Sequence, residues 1–178
     1  MKKLKSPQEL SALQQEIRKT RDPDKPCITI CAGTGCLAYG TQKIIDCFRD
    51  ELARRNLQDR IQLRTSGCHG FCERGPMVVI APKKIFYQRI KAEDVPEIIT
   101  KTVLGDEIID RLLYTDPVTK QKIIHEHEVP FYKRQTRYVF GMNGSIDPSS
   151  LEDYLAIDGY SALAKALYQM KPEAVIQE

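Results

Sequence analysis

No run of apolar residues in this sequence approaches the ~20 that a membrane-crossing helix needs, which excludes insertion by that route. The basic start, Met1-Lys2-Lys3-Leu4-Lys5, runs into Ser6-Pro7-Gln8-Glu9 and lacks the apolar stretch of a secretory signal, so a cytoplasmic setting is expected. The net charge is only +3, with Lys and Arg interleaved among Asp and Glu; the basic stripe of a nucleic-acid binder is missing. There is no C-x-x-C pair for thioredoxin-type dithiol exchange and no C-x4-C-x2-C run of a plant-type ferredoxin. No G-x-G-x-x-G loop for a dinucleotide is present. No acid, base or nucleophile constellation stands out either.

What the sequence does have is cysteine. Six occur in a chain of 178 residues that is 42% hydrophobic and 29% charged. Cytoplasmic thiols are kept reduced, so metal binding or redox chemistry is expected before disulfides.

Residues 7–21 read as a helix, capped by Ser6 and started by Pro7, with Leu10, Leu13 and Ile17 at helical spacing. Pro23 and Pro26 break it. A strand, Cys27–Cys31, leads into a glycine-rich loop to Cys36. An amphipathic helix, Tyr39–Arg55, carries Ile44, Ile45, Phe48 and Leu52. A second strand, Arg60–Thr65, runs into a second loop, Ser66–Pro76. Strands Met77–Ala81 and Ile85–Arg89 follow, then a helix, Glu93–Val103. This β-α-β-β-α order predicts an α/β sandwich of about four strands flanked by helices, its first two strands parallel. Beyond Gly105 the signal thins. A short helix over Asp106–Leu113, an extended Lys122–Val129, a strand Arg137–Phe140, and helices Ser149–Ala156 and Gly159–Tyr168 are expected. Three parts follow: a helix at 1–24, a domain at 25–104, and a mostly helical extension at 105–178 serving as linker and docking segment.

Four cysteines form two pairs, Cys31 with Cys36 and Cys68 with Cys72, each in a loop directly after a strand. Parallel strands deliver both loops to one edge of the sheet. Four thiolates together suit an iron–sulfur cluster or a structural zinc ion, and spacing alone leaves both open. Gly33, Gly35, Gly67 and Gly70 are candidate cofactor-binding positions, permitting sharp turns, positive φ and backbone N–H groups aimed at sulfur. Cys27 and Cys47 read as structural. His69 is a solvent-facing or hydrogen-bonding neighbour of the site, since histidine-ligated centres need two histidines.

Cys31-Ala-Gly-Thr-Gly-Cys36 and Thr65-Ser-Gly-Cys68-His-Gly-Phe-Cys72-Glu-Arg-Gly-Pro76 resemble the thioredoxin-like 2Fe–2S ferredoxin domain. The resemblance implies a thioredoxin-like sandwich with Cys31, Cys36, Cys68 and Cys72 on a 2Fe–2S cluster, and favours cluster over zinc. Val129–Gln135, Ser145–Pro148 and Leu151–Leu163 look like the entry segment of the 51-kDa-type, NADH-oxidising flavoprotein subunit of complex I and NAD(P)-reducing hydrogenases. Gly141-Met-Asn-Gly144 departs from the Asn-Cys-Gly that relatives often carry. In that family an FMN- and NADH-binding domain follows, so FMN and NAD(H) are expected only in a missing or partner flavoprotein portion. The resemblance implies one-electron transfer within an NAD(P)H-dependent oxidoreductase complex, by a chain not catalytic alone. A zinc-holding docking module and an iron–sulfur redox sensor are the competing readings.

Overall fold

Ser6 closes the N-terminus of the first helix, α1 (Pro7–Lys19), its hydroxyl accepting the Glu9 N–H, and Pro7 occupies the first turn, where no N–H is needed. The structure, a computed structural model, describes residues 3–178; Met1 and Lys2 of the basic start lie outside the described residues. The chain forms two compact units, Pro23–Asp147 and a helical unit of Met1–Asp22 with Pro148–Glu178. These divisions differ from the expected boundaries at 24 and 104: residues 105–147 belong to the larger unit, and the first helix belongs with the last ones. Among the described residues no helix is long and apolar enough to cross a membrane.

The larger unit is built on a four-stranded sheet in the order β2-β1-β3-β4, from β1 (Cys27–Cys31), β2 (Gln62–Ser66), β3 (Val78–Ala81) and β4 (Ile85–Tyr87). β1 is central and buried along its whole length, Thr29 included. It pairs parallel with β2, Cys27 opposite Gln62 and Cys31 opposite Ser66, and antiparallel with β3. A short helix, α2 (Thr34–Ala38), replaces the expected open loop after β1, and α3 (Thr41–Arg54) buries Ile44, Ile45, Phe48 and Leu52 against the sheet. Helices flanking this mixed sheet make the fold a thioredoxin-like α/β sandwich. Cys27 is buried at the far end of β1, and Cys47 packs half-buried on the core.

The expected single helix over 93–103 is three turns of different pitch: 3-10 at Ala92–Asp94, α4 (Val95–Glu97), and a π-helical stretch, Ile98–Leu104. At its far end the buried Thr102 hydroxyl donates to the Glu107 carbonyl at 2.8 Å and meets the Tyr87 hydroxyl at 2.7 Å, and Ile98, Ile99 and Thr102 all face inward. The expected helix at 106–113 is reduced to a 3-10 turn, Asp110–Leu112. A small hairpin of β5 (Tyr114–Thr115) and β6 (Lys122–Ile123) follows, then a 3-10 turn at Glu126–Glu128 and α5 (Pro130–Lys133). The strand expected at Arg137–Phe140 is absent. Apolar side chains suggested it, but Tyr138, Val139 and Phe140 are exposed in a bent segment.

In the helical unit α1 packs on α6 (Leu151–Ala156) and α7 (Ser161–Gln169); α8 (Pro172–Gln177) follows. Gln14 is buried, donating to the Gly159 carbonyl at 2.9 Å. Arg18 pairs with Asp158 at 2.5 Å and Arg21 with Asp153 at 2.6 Å. Leu155 is buried, whereas Tyr154, Tyr160, Leu163 and Leu167 are exposed.

Candidate metal centre

The register of β1 against β2 places Cys31 beside Ser66, so both cysteine loops leave the sheet at one edge. Ala32 N–H then donates to the Ser66 carbonyl at 2.9 Å, holding the two loop starts together. α2 turns Cys36 back inward; Cys31 and Cys36 are fully buried, and Cys68 and Cys72 are half-buried. Cys68 and Cys72 stand 3.7 Å apart, sulfur to sulfur. Cys31 and Cys36 are close enough for each thiol to shift the titration of the other. The four predicted ligands are therefore brought together as two pairs, and all six cysteines are free. Among the described residues no group of three His, Cys, Asp or Glu side chains is placed to hold a single metal ion.

The electrostatics follow from crowding thiols. The neighbouring Cys36 thiol outweighs burial and pulls Cys31 down to about 5, helped by the backbone N–H groups of His69 and Gly33. Cys36 is pushed far up by that same closeness to Cys31, by burial and by repulsion from the other thiolates. Cys72 is raised by its bond to Cys68 and by burial. A cationic metal centre would relieve this repulsion, since thiolates are the ligand form and the metal's charge favours them.

Two of the candidate glycines interlock the loops. A Cβ on Gly33 would lie 2.8 Å from the Cys68 Cβ, and one on Gly35 3.1 Å from the Cys72 sulfur. Gly67 faces the Asn143 side chain, and Gly70 alone of the four has positive φ, at 88°. Gly33 and Gly35 do not use the positive φ that glycine permits; they are demanded by close approach of backbone to cysteine. Sequence reading missed Gly75, where a Cβ would stand 2.7 Å from the Cys36 sulfur. It sits in the quoted Glu-Arg-Gly-Pro run, so its place in the motif was a usable signal. The donor set fits an iron–sulfur cluster: four thiols in two pairs, with backbone N–H groups turned to sulfur, including Gly70 N–H at 3.2 Å from the Cys68 sulfur.

His69 is not solvent-facing. It is buried, with Nε2 2.9 Å from the Ser66 hydroxyl and Nδ1 on the Glu126 carboxylate. Burial works against the Glu126 carboxylate, but His69, Tyr132 and Arg137 outweigh it and hold it below the usual range. Serine, histidine and glutamate in line resemble a hydrolytic triad, yet Ser66 is 1% exposed and also lies within reach of the Ile30 and Gly67 carbonyls. No substrate can meet that hydroxyl, so the line is structural. Phe131 stacks on Phe71 at 4.3 Å, and Met77, Tyr114 and Tyr132 fill the space behind. Nothing local in the sequence marks Glu126, Phe131, Arg137 or Asn143 as neighbours of Cys68.

Residues 17–103 match the family model of the thioredoxin-like [2Fe-2S] ferredoxins. A 2Fe-2S ferredoxin of Clostridium pasteurianum is 32% identical over 77 residues, 43% of this chain and 76% of that one. One from Aquifex aeolicus is 30% identical over 79 residues, 44% of this chain and 71% of its own. The crystal structure of the wild-type thioredoxin-like [2Fe-2S] ferredoxin from Aquifex aeolicus aligns over 52% of this chain and 99% of that one, at 24% identity and a TM-score of 0.48. With paired cysteines at one sheet edge, glycines interlocking the loops and relatives covered over most of their length, the chain belongs to the thioredoxin-like [2Fe-2S] ferredoxin family.

Proposed function

We propose that this chain holds a 2Fe–2S cluster on Cys31, Cys36, Cys68 and Cys72 and carries single electrons. The observation that carries the reading is the convergence of two thiol pairs across an interface lined by glycine. Once bound, such a cluster supplies a one-electron carrier whose potential is set by charge and hydrogen bonds around its sulfurs. Cys31 and Cys36 form the dry side of the site; Cys68 and Cys72, half-exposed, form the side where an electron partner approaches. The N–H groups of Gly33, His69 and Gly70 stabilise negative charge on sulfur.

The finer part of the proposal is that this carrier works within a cytoplasmic NAD(P)H-dependent oxidoreductase complex, taking electrons from or giving them to a flavoprotein portion that binds FMN and NAD(H). The resemblance of Val129–Gln135, Ser145–Pro148 and Leu151–Leu163 to the flavoprotein entry segment supports it.

Anaerobically purified chain should be brown and contain about two irons and two acid-labile sulfides. Colourless protein loaded with zinc overturns the cluster and returns the site to a structural ion. Alanine at any of the four ligands should abolish iron binding, whereas Cys47→Ala should keep it. Rapid mixing with an NADH-reduced flavoprotein subunit should bleach the visible absorption; NADH alone should not. Bleaching by NADH alone would overturn the assignment of flavin and nicotinamide to a partner.

A further inference from the structure

Residues 126–145 form a strap around the second cysteine loop, reaching it from 57 to 75 positions further along the chain. Glu126 holds the His69 ring, and Phe131 lies flat on Phe71. Gly144 permits the strap to pass the His69 ring, since a Cβ there would meet it at 2.8 Å. Two contacts go to backbone. Asn143 Nδ2 donates to the Cys68 carbonyl at 3.2 Å, and an Arg137 guanidinium N–H donates to the His69 carbonyl at 2.9 Å.

The His69 carbonyl belongs to a peptide whose other end faces a sulfur: the Gly70 N–H of that same planar unit is directed at the Cys68 sulfur, N to S 3.2 Å. The Cys68 carbonyl belongs to the peptide just before it, so Asn143 holds the same loop one unit upstream. In a trans peptide C=O and N–H point opposite ways, so fixing the oxygen from outside aims the hydrogen inward. Donation to the oxygen also polarises the peptide and strengthens its N–H as a donor.

We propose that Arg137 and Asn143 are positioning residues that act on the cluster through these two peptides, Arg137 by aiming the Gly70 N–H at the Cys68 sulfur and Asn143 by fixing the adjoining Cys68 carbonyl. The inference rests on the cluster reading above. Donors aimed at sulfur stabilise the more negative, reduced state, so removing them lowers the reduction potential.

The test is a redox titration, followed by electron paramagnetic resonance, of the full chain and of Arg137→Met, Asn143→Leu and the double variant, with iron per chain measured in parallel. Arg134→Met, which removes an exposed charge from the same strap, is the control. Poised at the wild-type midpoint, Arg137→Met and Asn143→Leu should each show a reduced-to-oxidised ratio several-fold below wild type. The double variant should fall by roughly tenfold, ~59 mV for a one-electron couple. Arg137→Lys should recover part of the loss, and Arg134→Met should match wild type. Wild-type potential and g-values in Arg137→Met and Asn143→Leu, with iron intact, overturn the inference and leave the cluster standing. A wild-type chain without iron ends the cluster reading itself. If a variant loses iron, circular dichroism decides. A folded, iron-free chain has lost the aim of its ligands, which supports the proposal; an unfolded one shows that the contacts serve the fold, which overturns it.

Discussion

Replacing Gly33 by alanine should weaken the protein for a steric reason alone. Gly33 sits at φ −62° and ψ 156°, an extended conformation any residue adopts. On backbone grounds alanine should even gain about 0.4–1 kcal/mol, because it restricts the unfolded chain. Space decides otherwise. The new methyl carbon would stand 2.8 Å from the Cys68 Cβ and 3.0 Å from its Cα. Carbon atoms rest at ~3.5–4.0 Å, so the loops must part by about 1 Å. Cys68 is poorly able to yield, because Asn143 holds its carbonyl. Overpacking of this kind costs ~1–3 kcal/mol, and the balance is a loss of about 1–2 kcal/mol. For a unit of this size that lowers Tm by roughly 3–10 °C. Gly40→Ala is the contrasting variant: its φ is +85° and nothing lies within 4 Å of the added carbon. It should lose ~1 kcal/mol to backbone strain without moving a cysteine. Thermal melts with iron analysis separate the two. Gly33→Ala should lose both stability and iron occupancy, Gly40→Ala stability only. Gly33→Ala melting at or above wild type with full iron would refute the view that the two loops touch through this glycine.

Tyr87→Phe should cost about 1–3 kcal/mol in urea unfolding, because the buried Ile109 N–H loses its partner and the Thr102 hydroxyl keeps only the Glu107 carbonyl; an unchanged midpoint would show that the Tyr87 hydroxyl contributes nothing there. Leu155→Ala should cost ~2–5 kcal/mol within the helical unit. Amide exchange should then speed up in both α1 and α6 while the visible spectrum of iron-loaded chain stays the same; full protection of α1 would show that it does not depend on α6. Hydrogen bonds from Arg54, then Arg55, hold the Glu51 carboxyl at about 2, against its ordinary 4.5. A depressed carboxyl stabilises the fold above its unfolded value and loses that contribution as pH falls. Glu51→Gln should therefore melt below wild type near pH 6, with the gap closing between pH 4.5 and 2; a gap that widens on acidification would contradict this.

The sheet and the convergence of the two cysteine pairs were legible because their causes are local. Cys27–Cys31 is a short β-branched strand bounded by Pro26 and the Gly33 loop, and the β-α-β order dictates that Cys31 and Cys68 emerge at one edge. The glycines were legible as site residues but not in their role, since only coordinates show that Gly33 abuts Cys68 rather than turning the chain. The strap was not legible. Arg137 to His69 spans 68 residues, and no periodicity records a contact of that range. Tyr138–Phe140 has strand composition, yet no sheet edge reaches it. Gln14 likewise reads as a solvated helix position, and only the Gly159 carbonyl, 145 residues away, explains its burial.

The pairing of Cys31 with Ser66 makes the site a gauge of strand alignment. Were β2 displaced along β1 by one residue, its loop would shift by ~3.3 Å and its side chains would change faces of the sheet. Cys68 and Cys72 would then miss Cys31 and Cys36, and Gly33 would no longer lie beside Cys68. Parallel pairing between distant segments is slow to form and open to such errors. Only a correctly aligned chain presents all four thiols at once, so uptake of a four-thiolate centre sorts aligned molecules from misaligned ones before any electron is carried.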